Sequence, residues 1–415
     1  MNVTLPATQT YVEGSINEFP MYAESNDNQL AFKNLCGVLK LNLTKANTNI
    51  TSIAITAASE INGTFSVSYN SGDPELTYSA NGTNTTTLTC ATAQSIASGK
   101  DFYIYLPEGS YSGLQIEMNT DDNRYCVKTA NTAINVTRSQ YTLITLGESN
   151  LTFRPIGSKG GLFYVSATQQ VWFSQGNLQY QASTNTWRFA LNQYDYVGND
   201  NENISATYSG WIDLFGWGTS GWNSGAVCYQ PWSTSCLYSD YFPGGSYTNG
   251  LTGDYVEADW AWHNPISNGG NAAHQWRTLT SAEWDYLLCH RGAKWGTGNI
   301  NGVGGMIILP DSWRLPSGCS FTSGRSSGYY DWTHNSYTLS QWAQMEAAGA
   351  VFLPVAGRRL GTRLLDVGGF GFYWSSTPEK NHFYATEVRF CGCLLFLDQS
   401  NRHNGHSVRP VMDEE

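Results

Sequence analysis

Two cysteines and two histidines near the C-terminus are the residues of this chain best suited to chemistry. Cys391-Gly392-Cys393 is followed by His403-Asn404-Gly405-His406. Two thiols and two imidazoles are nominally the donor set of a tetrahedral zinc centre. The Cys-x-Cys spacing is tighter than the roughly two to four intervening residues of most such sites, and both pairs sit among chemically unrelated side chains. No metal and no other cofactor is therefore expected. No nucleophile paired with a base is legible elsewhere. Asp254, Glu257 and Asp259 read as a solvated acidic face, and His263 and His274 as loop residues of the core or surface.

The stretch around those cysteines has two alternating textures. One is a frame: Tyr373-Trp374-Ser375-Ser376-Thr377-Pro378, then Val388 and Phe390, then Ser407-Val408-Arg409-Pro410-Val411. Between the frame positions lie Phe370, Phe372, Glu379, His382, Phe383, Glu387, Arg389, Cys391, Cys393, Leu395, Asp398 and His403. Neighbours on a strand point to opposite faces. With Val388 and Phe390 inward, Glu387, Arg389 and Cys391 are expected to share the outward face. A face mixing aromatic, acidic, basic and thiol groups reads as a contact surface. Leu360, Arg363, Leu365 and Asp366, just upstream, join the expected ligand-binding set.

The elements that must hold this surface follow from composition and pattern. At 415 residues the chain has room for about two or three domains. A formal net charge of −11 argues against nucleic acid as the partner. From Arg358 to Val411 the balance reverses, with seven basic residues against four acidic ones, a mild lean toward an acidic partner. Nine irregularly spaced cysteines do not form a disulfide framework; Cys228 and Cys236 could pair. No stretch approaches the ~20 apolar residues of a membrane helix.

All fifteen tryptophans and all seven histidines follow residue 160. That break divides the chain into a first domain over 1–153, a linker over 154–160 with Pro/Gly/Ser chemistry, and a second domain over 161–415. The first is a run of short β-type segments, among them GVLKLNL at 37–43, ITSIAITA at 50–57, DFYIYL at 101–106 and YTLITL at 141–146. Seven or so such strands predict a two-sheet antiparallel sandwich. In the second, Thr280-Ser281-Ala282-Glu283 is a capping box ahead of Trp284, Leu287 and Leu288 at helical spacing. Ser340 is expected to cap a second helix carrying Trp342 and Met345. Strands are expected near 170–173, 306–309, 350–354, 387–390 and 407–411, and most tryptophans as loop-packing core.

Two resemblances add to this reading. Phe32-Lys33-Asn34-Leu35-Cys36-Gly37-Val38-Leu39-Lys40-Leu41, with Ile61-Asn62-Gly63-Thr64-Phe65, resembles the fimbrillin-like surface proteins. That resemblance implies a transthyretin-like sandwich joining pilus subunits by strand exchange after export as a lipoprotein; a lipobox cysteine is absent from this chain. Leu279 to Tyr286, Trp313-Arg314-Leu315-Pro316, Val351 to Gly357, Tyr373 to Thr377 and Ser407 to Val411 together resemble the C-type-lectin-fold domains related to formylglycine-generating enzymes. More narrowly, the tail resembles the variable proteins of diversity-generating retroelements, in which rewritten codons line a ligand-binding face. Formylglycine-generating enzymes use an active-site cysteine pair of wider spacing than Cys391 and Cys393, and the calcium-binding tripeptides of sugar-binding lectins are missing. Oxidase and calcium-lectin readings are accordingly set behind a non-catalytic one.

The expectation is a mixed fold, an all-β sandwich followed by an α+β C-type-lectin-like domain with two helices and long loops. The protein is expected at the cell surface or outer membrane as a pilus or lipoprotein adhesin, not an enzyme. Its partner would be a surface protein or glycan, with other pilus subunits meeting the N-terminal domain. The alternative is a structural pilus subunit without its own ligand.

Overall fold

The computed structural model describes every residue except Asn26, Asn28, Ser71, Asn381, His382 and Glu415, and the side chain of Asn70. The chain forms two compact units, Met1–Arg154 and Pro155–Glu415.

The first unit is a β-sandwich. One layer contains Arg124–Thr129, Gln115–Thr120, Asn49–Thr56, Thr85–Ser95 and Thr8–Val12 in that order; the other contains Lys100–Leu106, Gly37–Leu43 and Tyr141–Leu146. Period-2 alternation sends Leu39, Leu41 and Leu43 of one layer, and Ile53, Ile55, Ile116 and Met118 of the other, into a shared core. Ile50 joins the same core although it is out of phase with Ile53, because the pairing with Gln115–Thr120 slips by one residue between Asn119 and Thr120. The wholly antiparallel sandwich predicted above needs correcting at two places. Thr8–Val12 runs parallel to Thr85–Ser95, and Tyr141–Leu146 parallel to Gly37–Leu43. Both pairs are far apart in sequence, so no hairpin dictates their direction.

The second unit is α+β. Residues 158–160, expected in a linker, instead begin the strand Ser158–Tyr164. Gly157 also packs closely within this unit: a Cβ there would fall 2.6 Å from Gly269 Cα, and its φ is +86°, a conformation that favours glycine. Thr280 caps the helix Ser281–Asp285 through the predicted box, its hydroxyl accepting from Glu283 N at 3.2 Å. The next helix, Leu339–Ala347, is capped by Thr338 and not by Ser340. Thr338 wins because Gln341 then stands three residues on and returns a bond to Thr338 N.

Two of the hydrophobic cores of this unit bear on the C-terminal stretch. Phe163, Trp284, Met306, Leu353, Tyr373, Val388 and Phe390 belong to one. Trp187, Phe215, Trp217, Trp260, Trp276, Trp374 and Val408 belong to the other, built largely from loops. The tryptophans supply the burial that regular elements do not, and Trp217, Trp276 and Trp374 each donate an indole N–H to a backbone carbonyl.

Two buried carboxylates inside these loops create a pH signature. Asp259 accepts from Ala261 N at the start of a helical turn and from Thr278 N and Oγ1. Asp213 accepts from Asn201 Nδ2 and Val197 N. Burial pushes both carboxyls up to about 6. A carboxyl with a raised folded pKa stabilises the fold most when protonated; that contribution is complete below the unfolded pKa and is lost as pH rises through about 6. Relative to Asp259→Asn, the parent protein should therefore gain about 1 kcal/mol on going from about pH 7 to about pH 5. Thermal unfolding of both proteins at the two pH values checks this, and a gap that does not change with pH refutes it.

Candidate binding face

The frame residues of the C-terminal stretch form a three-stranded antiparallel sheet, Gly371–Pro378, Tyr384–Phe390 and Leu395–Asn401, with Tyr384–Phe390 in the middle. Tyr373, Val388 and Phe390 face one core while Trp374 and Ala385 face the other. The middle strand is thus covered on both sides. This overturns the expectation that Glu387, Arg389 and Cys391 share a solvent-facing side. Glu387 is 2% exposed and Cys391 0%, and Phe372 is 3% exposed.

The cover over the second side is irregular chain, which a period-2 pattern cannot reveal. Trp374 Nε1 donates to Phe215 O at 2.8 Å and Trp217 Nε1 to Ser375 O at 2.9 Å. His406 stacks on Trp374 at 4.1 Å between ring centroids. Glu387 Oε2 lies 2.9 Å from His406 Nδ1, a close contact off the line of a hydrogen bond. Phe372, Glu387 and Cys391 are therefore interior residues and are removed from the contact set.

The cysteine and histidine pairs also lie apart. Register places Phe390 opposite Leu395 at one end of the hairpin and Tyr384 opposite Asn401 at the other. Cys391 and Cys393 occupy the first end and His403 follows the second, while His406 lies between them against Phe372, Trp374 and Glu387, so the two pairs do not come together. Burial and the neighbouring His406 push the His403 imidazole below its usual range.

The remaining predicted positions fall into groups. Leu360, Arg363 and Asp366 are exposed; Leu365, Phe370, Glu379, Phe383, Arg389, Cys393, Leu395, Asp398 and His403 are half-buried. His382 lies outside the described residues. One group is continuous: Arg389 pairs with Asp398 and lies over Phe396 at 5.5 Å. Across the sheet Phe372 stands opposite Arg389. Phe372 carries Arg358 over its ring at 5.1 Å and Phe370 stacked at 6.0 Å. Arg358 in turn pairs with Asp366 at 3.0 Å.

A second group gathers at the other end of the hairpin. Leu360 stands opposite Asn404, next to His403 in sequence, and Phe383 meets Tyr238 at 4.1 Å. Glu379 belongs to neither. It accepts from Thr386 Oγ1 at 2.7 Å and, with Asp285, Asp398 and Gln399, lines a shallow groove of about 420 Å³. Leu395 packs against the first core and does not join a surface group.

Sequence reasoning missed three members of the continuous group. Phe396 is 42% exposed, Tyr329 54% and Tyr330 70%; the two tyrosines meet Phe370 at 6.3 and 6.2 Å. The available signal was an aromatic pair directly after the Gly/Ser-rich run at 323–328. The basic lean of the tail is also corrected. Arg359, Arg402 and Arg409 are fully buried, as is Glu387. Seven bases against four acids become four against three outside the interior.

No family model and no curated protein matches the sequence. Among solved structures, the chain is similar to a candidate cell adhesion protein from Bacteroides ovatus ATCC 8483 (12% identity, TM-score 0.23, covering 30% of this chain and 45% of that one). A second candidate cell adhesion protein, from Bacteroides uniformis ATCC 8492, has 15% identity and a TM-score of 0.20, covering 30% of this chain and 50% of that one. The chain thus spans about half the length of each. A fimbrial protein from Bacteroides ovatus ATCC 8483 has 9% identity and a TM-score of 0.20, covering 95% of this chain and 75% of that one.

Proposed function

We propose that this protein is a cell-surface or pilus-associated adhesin whose second unit binds a surface protein or glycan without catalysis. The observation that carries the reading is a sheet with both faces of its middle strand packed while an adjoining strip stays open. On that strip Tyr329, Tyr330 and Phe396 are exposed and Phe370 and Arg389 part-buried, the two tyrosines against Phe370 and Arg389 over Phe396. Aromatic and Arg side chains supply most of the affinity in recognition surfaces, and gathered exposed apolar groups mark such surfaces. The diversified tail of a retroelement variable protein, on a C-type-lectin-like scaffold, is the history this reading assigns to the stretch.

The first unit is the assembly module of the same reading. Tyr141–Leu146 forms the edge of its three-stranded layer, with Tyr141 64% and Leu143 61% exposed, and an open edge can accept another strand.

The test is a comparison of the native protein with a Tyr330→Ser/Phe370→Ser/Arg389→Ser/Phe396→Ser variant on a glycan array and a displayed library of bacterial surface proteins. Native hits should weaken at least tenfold in the variant, whose near-ultraviolet circular dichroism should remain native. Hits retained at full strength by a folded variant would falsify this face as the binding surface.

A further inference from the structure

The turn that closes the tail hairpin holds the two thiols, and it also holds down the loop bearing the exposed tyrosines. Cys391 N donates to Leu394 O at 3.0 Å, closing a tight turn with Gly392 inside it. Residues two apart are within about 7 Å of each other at full extension, and a bend brings them into disulfide range. Burial first, and then the neighbouring Cys393 thiol, disfavour ionisation of Cys391. Cys391 is buried and Cys393 half-buried, so only one of the two presents to solvent.

Gly392 is the anchor of the neighbouring loop. Its N–H donates to Tyr329 O at 2.8 Å, and its carbonyl accepts from Ser326 N at 2.9 Å. The same carbonyl accepts from Ser326 Oγ at 2.8 Å and Thr297 Oγ1 at 3.1 Å. The fit is flush: a Cβ at Gly392 would lie 2.3 Å from Gly328 O and 2.5 Å from Asp331 O. Any rotation of the two peptides of Gly392 strains this set of bonds.

We propose that Cys391 and Cys393 are an oxidisable dithiol, a modification site whose disulfide releases the 326–331 loop and its Tyr329–Tyr330 pair. The oxidant is a small-molecule disulfide. The Cys393 thiolate attacks one sulfur of that disulfide, forming a mixed disulfide and expelling one small thiolate. The Cys391 thiolate then attacks Cys393 Sγ, forming the intrachain bond and expelling the second thiolate. Each expelled thiolate takes up one of the two protons given up by the protein thiols, so two protein thiols and one disulfide become one protein disulfide and two small thiols. Closure over a single glycine puckers the backbone at Gly392 and breaks the bonds that hold the loop. Burial raises the Cys391 thiol above its usual pKa, so the second step should quicken as pH rises.

The experiment uses the full chain and glutathione disulfide. Mass spectrometry of the peptide containing residues 391–393 should show the loss of two hydrogens. Hydrogen exchange of the Ser326 and Asp331 amides, which donate to Gly392 O and Gly328 O, should accelerate at least tenfold in the oxidised protein and return on reduction. Cys391→Ser should stop at a glutathione adduct on Cys393, and Cys393→Ser should yield neither adduct nor bond at this turn. Two things overturn the proposal: a turn that keeps both thiols while other cysteines oxidise, or an intrachain bond that leaves exchange at 326–331 unchanged. The outcome is independent of whether the face binds a partner.

Discussion

Trp374→Ala should lower the stability of the second unit by about 3–5 kcal/mol, the largest loss expected from a single truncation in the frame. Trp374 is fully buried, stacks on His406 and donates its indole N–H to Phe215 O. Truncation opens a cavity at the junction of the tail sheet and the loop core, strips His406 of its stacking partner and leaves Phe215 O without its donor. For a unit of this size the unfolding midpoint should fall by roughly 10 °C. Trp374→Phe keeps most of the ring and loses only the donor, so its cost should be about 1–2 kcal/mol. Denaturant unfolding followed by near-ultraviolet circular dichroism separates the two. Equal losses for both variants would mean that ring volume is not what the site uses.

The second large effect is expected at Arg359, where replacement by Leu should cost about 3 kcal/mol. Its guanidinium is fully buried and is held by carbonyls instead of a carboxylate, donating to Ser233 O at 3.2 Å, to Leu214 O at 3.4 Å, and to Gly361 O. Three loop carbonyls lose a charged donor at once, and loops buried in this way have no ladder to fall back on. Burial depresses the guanidinium to about 10, still well above neutrality, so the charge is present under ordinary conditions. Arg359→Lys should not rescue, because an ammonium cannot reach three divergent acceptors as a planar fork does. Arg363→Leu, four residues away and exposed, should stay within about 0.5 kcal/mol of the parent. Matching losses at 359 and 363 would rule out the buried fork as a structural clamp.

Arg359 and Arg363 illustrate why the site was only partly legible. Both read as basic residues of one mildly positive face, yet one is interior and the other at a hairpin tip. Similarly, Val388 and Phe390 were correctly read as inward, but the alternation rule then assigned Glu387 and Cys391 to solvent. The rule assumes a strand with one open side. Here Phe215, Trp217 and His406 close the second side from loops whose positions carry no periodic signal.

Local rules were sufficient for much of the rest. Alternation in Gly37–Leu43 and Asn49–Thr56 marked the sandwich, and Thr280 with Glu283 marked a helix start, because each depends on side chains within a few residues of one another. The residues themselves therefore determined many of the strands, one helix cap and the two-part composition, while the strand expected near 407–411 forms instead over Val411–Asp413. Tertiary packing alone decided which tail side chains reach solvent and that Tyr329, Tyr330 and Phe396 join them. Exposure depends on what chain distant in sequence comes to lie above a residue, and no local spacing encodes that.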